Sequence, residues 1–376
     1  MTEAELPWIS VLPPPRPGRP VLKLAGWLVT RGGEPLLWLP APPRCARATL
    51  TLYPAQTRRA RWARRILTWA IGRVPAPGAR RCELHVDAEA PLVRLLGGAS
   101  STGSPPLFGV FCGNPRAAGR RFLFLQFTPE GQPGQVLKVG SDSAAIRRLR
   151  AEAEFLLRAD CDRLRAPRLL QVWEGNGAMA IVQPWVPGTA PRRVSPRLLG
   201  SMLSSWIHRD KRVRLDQLGV WQRLTGHLSE SGFSCPWLAA LGRAEVHPTV
   251  FHGDFAPWNL RYDPGSDRWW VVDWERAQLE GPPGWDWAHY WVQTMVLVER
   301  RRPERILRAL AAACESAPVR SYFADAGADE VRHGLVVAGL LFQFLEWPPT
   351  EGWTAWGEVL QACTERLARH GSLVTA

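Results

Sequence analysis

The sequence predicts an α+β chain of two lobes, a small antiparallel β lobe and then a larger, mainly helical lobe, behind an N-terminal extension. Three observations predict it. Short strand-like runs crowd residues 106–188, and helical spacing dominates from Ser195 onward. Between them, Gln183-Pro184-Trp185-Val186-Pro187-Gly188 reads as a natural linker. The boundaries that follow are 1–105 for the extension, whose role the sequence does not name, 106–188 for the β lobe and 189–376 for the helical lobe.

The extension opens on a proline-rich stretch (Pro13, Pro14, Pro15, Pro17, Pro20), followed by the apolar segments Val21–Val29 and Pro35–Leu39. Spacing then predicts a helix over Gln56–Ile71, stopped by Pro75, Pro77 and Gly78. It would place Trp62, Ile66, Trp69 and Ala70 on one face, with Arg58, Arg61, Arg64 and Arg65 largely elsewhere. That apolar face is expected to pack on the neighbouring domain; peripheral contact with a membrane surface through residues 56–71 is the other reading. In the β lobe, Leu107–Cys112 and Arg121–Phe127 are strand-like and joined by the segment from Gly113 to Gly119. A loop over Pro129–Gly134 leads into the strand Gln135–Val139. Ser143–Arg158 is helical, with Ile146, Leu149, Phe155 and Leu156 at helical spacing, and Ala180–Val182 is a further short strand. Ser195-Pro196 is a helix start, a capping residue followed by proline at the first helical position. The tail helices centre on Leu335–Leu345 and Trp353–Leu367. No internal repeat is present.

Composition narrows the function classes. A content of 46% apolar and 22% charged residues excludes general disorder. The longest apolar candidate, Gly334–Leu345, falls short of the roughly 20 residues that span a bilayer. Glu3 and Glu5 stand where a secretory leader would carry Lys or Arg. The seven cysteines are dispersed without a Cys-x-x-Cys pair, which argues against a disulfide framework or a zinc site. The expected location is cytoplasmic. Of the 47 basic residues only Lys23, Lys138 and Lys211 are lysines, so each lysine is informative. Residues 1–100 hold 15 basic and 6 acidic side chains, so +9 of the net +13 lies there. No zinc-finger or RNP pattern accompanies that charge, and nucleic acid is not the expected partner.

The chemistry-bearing residues lie between Phe251 and Asp286. In His252-Gly253-Asp254-Phe255-Ala256-Pro257-Trp258-Asn259 an Asp and an Asn stand five apart on a loop, since Gly253 and Pro257 forbid a helix interior. Downstream, Leu260–Tyr262 and Trp269–Val272 form a hairpin about Pro264-Gly265-Ser266-Asp267. Folding it brings Asn259 opposite Val272 and Asp273, so Asp254, Asn259 and Asp273 converge at one end. Two hard oxygen ligands plus a nearby carboxylate suit Mg²⁺, an ion usually shared with substrate phosphates, and leave one Asp to orient a hydroxyl.

The motifs His252-Gly-Asp-x-x-x-x-Asn259 and Val271-Val-Asp-Trp-Glu275 resemble those of the aminoglycoside phosphotransferase/choline kinase family, bacterial and other relatives of the protein kinases. The resemblance implies a protein-kinase-like fold, ATP and Mg²⁺ as cofactors, Asp254 as catalytic base, and Asn259 and Asp273 as metal ligands. It also matches Asp286, in Gly284-Trp-Asp-Trp-Ala288, to an Asp that braces the catalytic loop, and gives His252 a structural role. A kinase needs a lysine on an upstream strand, and Lys138 in Val136-Leu-Lys-Val139 supplies it. Its acidic partner is Glu152 or Glu154; Glu152 fits better, because Leu149 and Leu156 flank it on the same face. Gln183–Gly188 would then be the hinge whose backbone meets adenine, with Gln183 and Val186 as the contacts. Gly113 and Gly119 bracket the would-be phosphate loop, which lacks a G-x-G-x-x-G pattern.

The expected reaction is transfer of the ATP γ-phosphate to a hydroxyl of a small molecule. Residues 189–250 hold nine basic and four acidic side chains, and residues 276–376 ten and twelve. That balance points to a neutral or anionic sugar or glycan-type acceptor rather than a polycation. An aminoglycoside O-phosphotransferase and a catalytically weak kinase-like binding module are the alternatives. Oligomeric state is not legible.

Overall fold

A computed structural model describes residues 8, 11–15, 17–55, 57–72, 79–98, 106–113, 119–191, 194–230, 235–346 and 353–373. Pro75, Pro77, Gly78 and the centre of the Gly113–Gly119 segment lie outside the described residues. The chain forms two compact units, Met1–Arg158 with Pro167–Thr189, and Ala159–Ala166 with Ala190–Ala376. The fold class is α+β, as the sequence predicts.

The first unit is built on an eight-stranded antiparallel sheet of β1 (Val21–Arg31), β2 (Glu34–Pro40), β3 (Ala79–Asp87), β4 (Leu107–Phe111), β5 (Phe122–Phe127), β6 (Pro133–Gly140), β7 (Gln171–Gly175) and β8 (Ala178–Pro184). Its spatial order is β3-β1-β2-β4-β5-β6-β8-β7. The first hundred residues thus contribute three strands to the sheet that carries Lys138, joined where Leu37 pairs with Phe111 and Trp38 with Val110. The reason is visible in the side chains. Leu24, Leu28, Trp38, Leu84 and Val86 project into one continuous core with Phe108, Val110, Phe124, Leu137 and Val139. The helix Ser143–Arg158 has the boundaries its spacing predicts and lays Leu149 and Ala153 against Met179 and Ile181 of β8.

The predicted helix over 56–71 is present as Arg58–Ala70, with the Thr57 side chain accepting from the Ala60 N–H. Its packing corrects the sequence expectation. Trp62 and Trp69 are 68% and 61% exposed. The side that packs instead carries Leu67, beside the helix-ending Ile71, against Val29, Leu37 and Leu39. Leu67 lies about 140° around the helix from Trp62 at 100° per residue, so burying one turns the other outward.

The second unit is mainly helical. Helix Pro196–Ser204 begins with the Ser195 hydroxyl accepting from the Leu198 N–H, as expected. Helices Trp285–Gln293, Arg332–Glu346 and Trp353–His370 follow. The hairpin Leu260–Asp263/Arg268–Val271 has Leu260 paired with Val271 and Tyr262 with Trp269. Strand Thr249–Phe251, paired with Gln278–Gly281, delivers the chain into the His252–Asn259 loop. No helix among the described residues is long and apolar enough to cross a membrane.

Candidate active site

The loop after Phe251 is fixed from below by an aromatic cluster. The His252 ring lies 4.5 Å from Trp274, and Trp206 packs on Phe255 at 5.3 Å and on Trp274 at 5.4 Å. Trp274 is itself held by its indole N–H, which donates to the Val271 carbonyl at 2.8 Å. Gly253 adopts φ +78°, and a Cβ there would stand 2.8 Å from the Arg276 carbonyl oxygen, so both conformation and space require glycine.

His252 has a definite tautomer. Its Nδ1 accepts the Asp254 backbone N–H at 3.2 Å, so Nε2 carries the proton and donates to the Val272 carbonyl at 3.2 Å. Burial pushes its pKa down to about 4, keeping the ring neutral near pH 7. The ring therefore ties the His252–Asn259 loop to the hairpin.

Asp286, at the start of helix Trp285–Gln293, braces the same loop from the other side. Its carboxylate accepts the backbone N–H groups of His252 (2.8 Å) and Gly253 (3.1 Å). Burial pushes its pKa up to about 7, opposed by those two bonds. Asp286→Ala would leave two buried N–H groups without partners, at about 1–3 kcal/mol each. A raised carboxyl pKa means the folded state holds the proton more tightly than the unfolded one. The Asp286 contribution to stability is then largest at acid pH and falls as pH rises from the ordinary carboxylate range to about 7. Denaturant midpoints should therefore show a larger loss for Asp286→Ala at pH 5 than at pH 8; a loss growing with pH would contradict the assignment.

Asp254, the carboxylate of the His252–Asn259 loop, keeps access to solvent, with its side chain 17% exposed. Asn259 donates through Nδ2 to both the Asp254 backbone oxygen (2.8 Å) and Oδ2 (3.1 Å). The other carboxylate oxygen, Oδ1, lies 3.0 Å from Nε2 of His289, a residue the sequence reading missed. His289 follows Asp286 by three positions, so both lie on one face of the helix and both meet the loop. The remaining ring nitrogen, Nδ1, lies 2.5 Å from Oε1 of the buried Gln343 on helix Arg332–Glu346. We assign the Gln343 amide the orientation turned by 180°, which sets its otherwise unpartnered nitrogen against Nδ1 and leaves the ring proton on Nε2, where it donates to Asp254. The Asp-x-x-His spacing was the available signal.

The donor set for a divalent ion can be read from the same bonds. Because Asn259 spends its Nδ2 on Asp254, its Oδ1 is oriented away as an oxygen donor. The Val272 N–H donates to the Asn259 carbonyl at 2.9 Å, which brings Asp273 next to it. Asp273 sits at φ +73°, an uncommon conformation for a residue other than glycine and one that concentrates at functional sites. Among the described residues no three His, Cys, Asp or Glu side chains form a metal site. An Asn and an Asp fit Mg²⁺ completed by water and phosphate oxygens.

In the first unit, Lys138 is 6% exposed and its Nζ donates to both Glu152 oxygens, at 2.6 and 2.9 Å. Glu154 is exposed, which leaves Glu152 as the partner. The Gln183 side chain joins them through a 3.4 Å bond from Nε2 to Glu152 Oε1, and Val186 is buried. Gly113 and Gly119 have φ of +64° and +73°.

Residues 202–324 match the phosphotransferase enzyme family. That segment contains Asp254, Asn259, Asp273, Asp286 and His289, and the enzyme class it gives is a phosphotransferase, as the motifs imply. No curated protein matches the chain. Among solved structures it is similar to an ethanolamine kinase from Plasmodium vivax, with 9% identity, 86% of this chain and 94% of that one covered and a TM-score of 0.46. It is also similar to an aminoglycoside phosphotransferase from Streptomyces rimosus in complex with ADP and streptomycin, with 15% identity, coverage of 70% and 100% and a TM-score of 0.42.

Proposed function

We propose that this phosphotransferase uses ATP and Mg²⁺ to phosphorylate a hydroxyl of a small neutral or anionic molecule of the sugar or glycan type, in the cytoplasm. The observation that carries this reading is the Asp254 carboxylate, held at Oδ1 by His289 and at Oδ2 by Asn259 while remaining open to approach. Each oxygen keeps a lone pair for an incoming O–H.

In the reaction, the acceptor oxygen forms a bond to the γ-phosphorus as the bond from that phosphorus to the bridging oxygen breaks. ADP leaves with the bonding electrons, and the acceptor proton passes to Asp254. Asn259 and Asp273 would hold the Mg²⁺, which offsets charge on the phosphates. His289 and Asn259 keep the carboxylate in one orientation, so positioning rather than covalent chemistry supplies most of the rate. Lys138, fixed by Glu152, would contact the α and β phosphates, and the backbone of Gln183 and Val186 would meet adenine.

A neutral or anionic acceptor is favoured by the charge balance of residues 189–250, which hold nine basic and four acidic side chains. Polycations need several carboxylates converging on one pocket. ADP release across a panel of sugars, polyols and aminoglycosides tests the class; preferential turnover of aminoglycosides would overturn it.

Lys138→Arg should raise KM for ATP and lower kcat at unchanged net charge, because a planar guanidinium does not fit the slot that holds the ammonium against Glu152. The same change at Lys23, which is exposed, or at Lys211, half-exposed in a surface pair with Glu280, should be near silent. Steady-state kinetics on the three single variants check this, and equal values at all three positions would contradict it.

A further inference from the structure

The helix Arg58–Ala70 turns the wrong residues outward for a purely structural element. Trp62 and Trp69 are one heptad apart, about 10 Å along the axis at 1.5 Å per residue, and share the solvent face. Ile66, half-buried, lies between them along the same side. Arg59 and Arg65 are exposed and flank this line on either edge, with Arg61 half-exposed beyond Arg65. Arg64 is turned inward, donating to the Tyr53 carbonyl at 3.1 Å. At the C-terminal end Arg47 donates to the carbonyls of Thr68 and Ile71, adding a cation beside the last turn. The surrounding sequence is equally one-sided, for residues 35–82 contain ten Arg and no Asp or Glu.

We propose that this face docks on an anionic phospholipid bilayer. The two indoles and Ile66 would enter the interface, and Arg59, Arg61 and Arg65 would reach the headgroup phosphates. Each part has its physical reason. Trp is favoured at the membrane interface because one end of the ring is apolar and the other polar. Arginine stems can lie on apolar surface while the guanidinium meets phosphate. A helix lying in the interface plane needs an apolar line along its axis edged by cations, which is the pattern here. Nucleic acid is the less suited partner, since stacking of bases uses aromatic platforms within a groove that tracks the backbone, and these rings project from a convex helix. The inference does not depend on the acceptor or on the catalytic residues, which lie in the other unit.

Co-sedimentation of the full chain with vesicles tests it, using pure phosphatidylcholine and an equimolar mixture with phosphatidylglycerol. Binding is expected to the mixed vesicles and to weaken with added salt. The Trp62→Ala/Trp69→Ala double variant should bind roughly tenfold more weakly, and Arg59→Gln and Arg65→Gln about fivefold each. All four side chains are exposed, so circular dichroism and thermal midpoints should match wild type, as should ADP release in solution. Equal binding to both vesicle types, or mixed-vesicle binding that is absent or indifferent to these substitutions, would overturn the proposal. Tighter binding to a single-stranded oligonucleotide than to the mixed vesicles, lost in the same variants, would overturn it in favour of a nucleic-acid face.

Discussion

Asp254→Asn should lower phosphoryl transfer by roughly 10²–10⁴-fold, the range that general-base assistance supplies, while nucleotide affinity stays near wild type. The carboxylate is held by two donors, His289 at Oδ1 and Asn259 at Oδ2. An amide in its place keeps the volume but sets its own NH₂ against one of those donors and lowers the basicity of what remains. Asn259 should still offer Oδ1 to the metal, because its second bond runs to the Asp254 backbone oxygen, which the substitution does not touch. Metal-dependent ATP binding should therefore survive while turnover falls. A variant with wild-type kcat would remove Asp254 from the base role.

Asp273→Ala should behave differently, losing Mg²⁺-dependent ATP affinity together with turnover. The Asn and the Asp are the two protein ligands proposed for the ion, and removing the charged one leaves a single neutral oxygen. The backbone offers a second, separable effect. Asp273 occupies φ +73°, which Asp tolerates better than Ala, so some stability should be lost as well. Asp273→Asn keeps the tolerance for that conformation and removes the charge. Nucleotide titrations with and without Mg²⁺ on both variants separate the two effects, and a wild-type metal enhancement in either would exclude Asp273 as a ligand.

Much of this arrangement was legible because it rests on local rules. The hairpin that brings Asn259 to Asp273 follows from Pro264-Gly265 between two β-rich runs, and the helix Ser143–Arg158 follows from its apolar spacing. Lys138 stood out because lysine is rare in this chain. What the sequence hid depends on tertiary placement. His289 is one turn beyond Asp286, but only the fold shows that both reach the loop. Strand β7 was missed because it lies at the sheet edge with Val172 exposed, so its side chains carry little apolar alternation. Strand β3 does alternate, with Leu84 and Val86 buried, yet its pairing with β1 spans a long sequence separation. The helix over 58–70 shows the opposite failure. Its Trp face looked like a packing surface, because sequence alone does not say which of two apolar sides the sheet will take.

A phosphotransferase moves a phosphoryl group to a hydroxyl rather than merely binding nucleotide. The direct measurement follows the γ-phosphate of radiolabelled ATP in the presence of Mg²⁺ and a panel of hydroxyl compounds, with wild type beside Asp254→Asn. The expected result is label on a neutral or anionic acceptor, dependent on Mg²⁺ and lost in the variant. Nucleotide that binds while its label stays on ATP, with every acceptor and in both proteins alike, would contradict it.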